Sequence, residues 1–229
     1  MFFKILLSAV FAALAAGIIV SAIQQVTTTP LILIAETYED GSASANQTET
    51  KLPAVASPNA AASDPESSAI SRPVMTTMAN IVLAFGFSLA LLSVQILLNR
   101  SISARTGLFW GIAAFAAFNL APSLGLPPDL PGSAAADLVS RQIWWTATAI
   151  LTALGIGLLS HRQTFWAIAA AILLFVLPHL YGAPQPQQYA STVPAEIAAH
   201  FAASSLVVMA VFWAMIGSLS GFFFARQGA

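Results

Sequence analysis

IAAHFAASSLVVMAVFWAMIGSLSGFFF, residues 197–224, contains one His and no other ionisable side chain. At about 1.5 Å of rise per residue, a helix of this length is longer than the roughly 30 Å hydrocarbon core of a bilayer. In lipid there is no water to satisfy backbone amides, so such a run must be helical. Five more stretches meet or approach the same length: 5–34, 74–98, 107–124, 142–160 and 164–181. The chain has 229 residues, 58% hydrophobic and only 7% charged, whereas an ordinary soluble domain has about a quarter charged. The expected fold is an all-α integral membrane protein, a single membrane domain over 1–229 with about six transmembrane helices. The exception is 41–71, dominated by Ser, Ala, Pro and Thr. With few large apolar residues it cannot fold alone, and it reads as a flexible outward-facing loop.

Threading these segments sorts the charges. Glu36, Glu39, Asp40, Glu49, Asp64, Glu66, Asp129, Asp137 and Glu196 fall in three alternate connections, together with Lys51, Arg72 and Arg141, for a net −6. The remaining connections and the two ends hold Lys4, Arg100, Arg105, Arg162 and Arg226 with no acid, a net +5. Short basic loops stay in the cytoplasm, so 99–106, 160–163 and both termini are expected there, with 35–73, 125–141 and 182–196 outside. The start, MFFKILLSAVFAALAAGIIVSA, also has the make-up of a signal peptide, with one Lys, an apolar run and a small-residue Val20-Ser-Ala. Apolar character resumes at Pro30 with LILIA, however, so an uncleaved first helix is expected. An acidic outer face suggests that the chain handles cations.

Several classes are excluded. Without cysteine there is no disulfide, thiolate metal site or Cys nucleophile. No basic stripe with interleaved aromatics points to nucleic acid. No Gly-rich phosphate loop, paired metal-binding His helix or nucleophile elbow is present, so neither an enzyme nor a tightly bound cofactor is expected.

The second half repeats itself. Phe109-Trp-Gly-Ile-Ala-Ala matches Phe165-Trp-Ala-Ile-Ala-Ala at an offset of 56, and Pro122 and Leu124 match Pro178 and Leu180. Asp137 then pairs with Glu196, and Arg141 with His200, at an offset of 59. Two helical hairpins of the same orientation are expected, each rising to a Pro, crossing a Pro/Gly loop, and descending from an acid followed by a base four residues later. Transporters often place their sites between such repeats.

The residues able to carry chemistry gather near the outer ends. Pro122 and Pro178 cannot donate, which frees the carbonyls of Phe118 and Leu174 to stop a helix or to line a cation path. His179, at an apolar helix end, is either a metal ligand or relay, or a partner for nearby backbone or Tyr181. Glu196 and His200 share a helix face, where Glu196 complements the helix dipole and the pair forms a half-site for a divalent ion. Asp137 and Arg141 repeat that spacing as an ion pair. Asn119 is a pathway ligand or interhelical glue. The five Trp residues read as interface belt and packing, and Gly217-Ser-Leu-Ser-Gly221 as a close helix contact.

Ala35-Glu-Thr-Tyr-Glu39, Ala117-Phe-Asn-Leu-Ala-Pro-Ser-Leu-Gly-Leu-Pro-Pro-Asp-Leu-Pro-Gly132, Ala136-Asp137, Arg141-Gln-Ile-Trp-Trp145, Pro178-His-Leu-Tyr-Gly-Ala-Pro-Gln-Pro186 and Val193-Pro-Ala-Glu-Ile-Ala198 together resemble the CbtA family of bacterial membrane proteins, predicted cobalt-transporter subunits. The resemblance covers nearly the whole chain apart from 41–71. It implies cobalt uptake across the bacterial inner membrane beside a small one-helix, His-bearing partner, CbtB. The chain departs from the family at Asn119, where members often carry His, and in an outward loop that has none. The expected metal-site residues are Glu36, Glu39, Asn119, His179, Glu196 and His200. The expected function is a permease subunit for a divalent metal ion with cobalt suspected, or a non-transporting scaffold or accessory subunit assembling with the small partner.

Overall fold

The computed structural model describes residues 1–48, 65–187 and 191–227, with backbone only for 40–48 and 65–70. Every regular element among the described residues is helical. In chain order they are α1 (Phe2–Val26), α2 (Thr28–Thr48), α3 (Pro65–Leu97), α4 (Ala104–Phe115), a π-turn (Ala116–Leu120), α5 (Ala121–Ser123), α6 (Leu138–His161), α7 (Phe165–Tyr181) and α8 (Ala195–Arg226). Phe2–Val26, Ser71–Leu97, Leu138–His161 and Ala195–Arg226 are each long and apolar enough to cross a membrane. Where the sequence suggests about six spans, four therefore meet the criterion of length and apolar composition. The other two stretches form the shorter apolar α7 and the interrupted 104–123.

Each departure from a plain helix has a local cause. The expected first helix, 5–34, is broken at Thr27, which has φ −116° and ψ −68°. Pro30 lacks an N–H and its ring crowds the carbonyl four residues earlier, on Val26. The hydroxyls of Thr27 and Thr28 donate to Ile23 O and Gln24 O at 2.8 and 3.4 Å, which eases the break. At Pro122 the helix widens instead: the Ala121 N–H reaches back five residues to Ala116 O. Pro178 stays inside α7, which ends at Gly182 with φ +90°, a value that favours glycine. The flanks of the expected flexible loop, 41–48 and 65–71, continue α2 and α3 as helix, while 49–64 lies outside the described residues.

Packing follows the repeat. α4 packs most extensively on α8, and α6 on α7, so each hairpin closes against the other rather than on itself. Gly111 and Ala167, which match at the offset of 56, are each buried, one in α4 and one in α7. Along the α4–α8 seam a Cβ on Gly107 or Gly111 would collide with the carbonyl of Gly217 or Trp213, and one on Gly221 with that of Ser103. The Gly217-Ser-Leu-Ser-Gly221 face thus permits the backbone contact its composition suggests. α1 packs on α3 and α8, with the buried residues Ala13, Ala16, Val20, Ala84, Leu91, Phe212 and Ile216 as the core between them.

Candidate cation site at the outer helix ends

His179 follows Pro178 in the last turn of α7, where a helix dipole favours positive charge. Its Nδ1 lies 3.0 Å from Phe175 O and its Nε2 3.1 Å from Ala121 O, on the far side of the repeat. A neutral imidazole can donate to one of these carbonyls, and the doubly protonated ring donates to both. Neither nitrogen points a lone pair into open space, so His179 binds metal only after releasing a carbonyl. Beside it Trp144 packs edge-on at 5.8 Å and donates from Nε1 to Pro178 O at 3.0 Å. The two Pro-bearing helices are thereby tied together next to their prolines.

Asn119 sits in the π-turn, and its Oδ1 accepts a 2.7 Å hydrogen bond from Trp213 Nε1 on α8. Phe118 stacks on the same indole at 5.9 Å. Asn119 also lines a cleft of about 620 Å³ shared with Asp129, Arg141, Gln142, Trp145 and Ser205. At its rim Arg141 donates to Asp129 at 2.6 Å. This corrects the expected Asp137–Arg141 pair. Asp137 instead caps α6, accepting from Ser140 N–H at 2.9 Å and from Ser140 Oγ at 3.0 Å. The Ser140 amide, and after it the hydroxyl, hold the Asp137 carboxyl below its ordinary range. The Leu124-Gly125 turn and the chain after it bring Asp129 round to Arg141, which spacing along one helix could not foresee.

A third group surrounds the small cluster of Ala35, Leu130 and Val193, on which Ile32, Ile197 and Phe201 pack. Glu36 accepts from Arg72 Nη1 on both oxygens, at 3.1 and 3.0 Å. The side chains are 36% and 62% exposed, so this pair is worth about 0–1 kcal/mol and a cation can displace it. Glu39 lies beside Gly132, a positive-φ turn residue whose carbonyl accepts from Thr192 N–H at 3.4 Å, joining the Pro/Gly loops of the two hairpins. Glu196 and His200 are both exposed on the first turns of α8. The six nominated residues thus occupy three places, and no group of three His, Asp or Glu among the described residues is close enough to hold a metal.

One feature escaped the sequence reading. On α3, Asn80, Ser88 and Gln95 are all buried, and Asn80 Nδ2 donates to Ser21 Oγ (2.9 Å) and Gln24 Oε1 (2.6 Å) of α1. The signal was there: Asn80, Ser88 and Gln95 fall on one side of a mainly apolar run, at positions where a membrane helix is costly to make polar.

A polytopic helical membrane protein emerges, with two cross-packed hairpins and a polar cleft at the end where their Pro/Gly loops lie. The family model described as "Probable cobalt transporter subunit (CbtA)" matches residues 2–225, nearly the entire chain. The chain belongs to the CbtA family. No curated protein and no solved structure is similar enough to match it.

Proposed function

We propose that the chain is a permease subunit for uptake of a divalent metal ion, with cobalt as the cargo. The family match over 2–225 carries this reading. The charge sorting supports it, as do Glu36 and Glu39 on α2 and Glu196 in the first turn of α8. The chain would thread six times through the bacterial inner membrane, with both termini in the cytoplasm and the acidic loops in the periplasm. Glu36 and Glu39 draw in the hydrated ion, Arg72 yielding its place on Glu36. Glu196 and His200, on one face of α8, then replace part of its water, helped by Asn119 in the cleft. His179 joins them when it lets go of Ala121 O or Phe175 O. Such a site holds the ion weakly, as passage requires, since binding must allow both arrival and departure. Membrane potential supplies the drive, about 2.3 kcal/mol per charge for each 100 mV.

A second reading, an accessory subunit seated against a small one-helix, His-bearing partner like CbtB, is favoured by one observation. An apolar cleft of about 920 Å³ runs between α3, α4 and α6, bordered by Phe87, Leu91, Phe109 and Ile156. Radioactive cobalt uptake separates the two. A strain lacking the chain should lose uptake, wild type should restore it, and the Glu196→Gln, His200→Ala double variant should restore several-fold less. Full restoration by the double variant would favour the accessory role. Undiminished uptake in the deletion strain would remove cobalt altogether.

A further inference from the structure

Ser88 and Gln95 are both fully buried on α3, and Ser88 Oγ and Gln95 Oε1 find no hydrogen-bond partner. Most other helical hydroxyls behave differently, although Thr152 Oγ1 on α6 is also buried without a partner. Those of Ser8, Ser21, Thr148 and Ser218 each donate to the carbonyl four residues earlier, at 2.6 to 2.8 Å. Ser88 forgoes this bond. Gln95 spends its amide nitrogen on Leu91 O at 3.2 Å and leaves its oxygen over. Seven residues come within about 20° of two full turns, so both oxygens lie on one face of α3, about 10 Å apart along the axis.

Asn80 continues this side of α3 toward the outer end, where Ser21 and Gln24 of α1 meet it. Those bonds, with Gly17 pressed against Ile81, set an antiparallel register of α1 on α3. That register carries the buried Ala9, Ala12 and Ala13 of α1 past Ser88, and alanine side chains offer it no donor. A purely structural seam would use apolar residues at 88 and 95, because an unpaired buried oxygen weakens the fold.

We propose that the α1–α3 seam is the route by which a partly dehydrated divalent cation crosses the membrane. Gln24, Ser88 and Gln95 act as successive neutral oxygen ligands. The proposal rests on the transporter reading above and gives it a path. Hydroxyl and amide oxygens suit a divalent ion without the grip of a buried carboxylate. In this conformation the seam is closed where Gly17 meets Ile81, and transport requires α1 and α3 to part there.

The chain has no cysteine, so an introduced one is unique. Ser88→Cys and Gln95→Cys, in membrane vesicles, should react with a small polar thiol reagent, and cobalt should slow that reaction several-fold. Ala149→Cys, buried in α6, should stay unreactive. Reactivity at 88 and 95 no greater than at 149, or reactivity that cobalt leaves unchanged, overturns the proposal. Ser88→Ala and Gln95→Leu should unfold at the wild-type temperature or above it, yet take up cobalt several-fold more slowly. Wild-type uptake by both variants also overturns it. If wild type itself fails to take up cobalt, the transporter reading falls separately, and protection of the two cysteines by cobalt still decides the seam.

Discussion

His179 is held by two carbonyls, one on its own helix and one just before Pro122. The side chain that looks most like a ligand in the sequence is thus also a clamp between the repeats. His179→Ala should lower the stability of the detergent-solubilised protein by about 1 kcal/mol, since it removes the part-buried hydrogen bond that the neutral ring donates to one of these carbonyls. Thermal unfolding with and without cobalt checks this. A gap between wild type and variant that persists without metal marks a clamp, and one that appears only with cobalt would make His179 a ligand first. At this scale the sequence showed which residues are polar but not whom they meet. Asp137 and Arg141 have the spacing of an ion pair, yet a backbone amide three residues on captures Asp137 and a turn delivers Asp129 to Arg141. Ser88 and Gln95 passed unnoticed because Ser and Gln in an apolar helix usually find local partners.

Helices were far more legible than their interruptions, because apolar length is a strong signal and a proline acts on one turn. Pro30, Pro122 and Pro178 met three different outcomes: a break at Thr27, a π-turn, and an unbroken α7. What decides among them is tertiary support, such as the Trp144 bond to Pro178 O, and no single-helix pattern contains it. The glycine seam was partly legible. Gly217 and Gly221 stand four apart, as close contacts demand, but their partners Gly107 and Ser103 could only be found in three dimensions. Backbone meets backbone there and cannot retreat as a side chain would. Gly217→Leu should therefore fall at the upper end of overpacking costs, about 3 kcal/mol, and separate α4 from α8. Gly157→Ala, inside α6 where a Cβ meets nothing within 4 Å, should leave stability unchanged or raise it by up to about 1 kcal/mol. Unfolding temperatures of the two variants make the comparison, and equal losses would show that the seam is looser than its geometry implies.

For the whole molecule, function hangs on sidedness, and sidedness depends on whether the two weaker stretches cross. α7 has 17 residues, about 25 Å of helix, a few ångströms short of the hydrocarbon core. A bilayer accommodates that by thinning locally, at fractions of a kcal/mol per ångström. The 104–123 rod is about 30 Å long, but its π-turn and Pro122 leave backbone groups that need protein or water as partners. The rod packs on α8 and its π-turn on α6, which bury Ala117 and leave Phe118 and Leu120 as apolar side chains that lipid can cover, so crossing costs little. If both stretches cross, the basic 99–106 and 160–163 share one side and the acidic 125–141 and 182–196 the other. If 104–123 did not cross, Arg100 and Asp129 would stand on the same side and the cation reading would lose its charge support. Alkaline phosphatase, which folds only outside the cytoplasm, reports this directly. Joined after Leu126 or Gln185 it should be active, and joined after Arg100 or Arg162 inactive. Activity of the same sign at Arg100 and Leu126 would mean that α4 and α5 lie within one leaflet, and the same result at Arg162 and Gln185 would leave α1, α3, α6 and α8 as the four spans that any cation route must use.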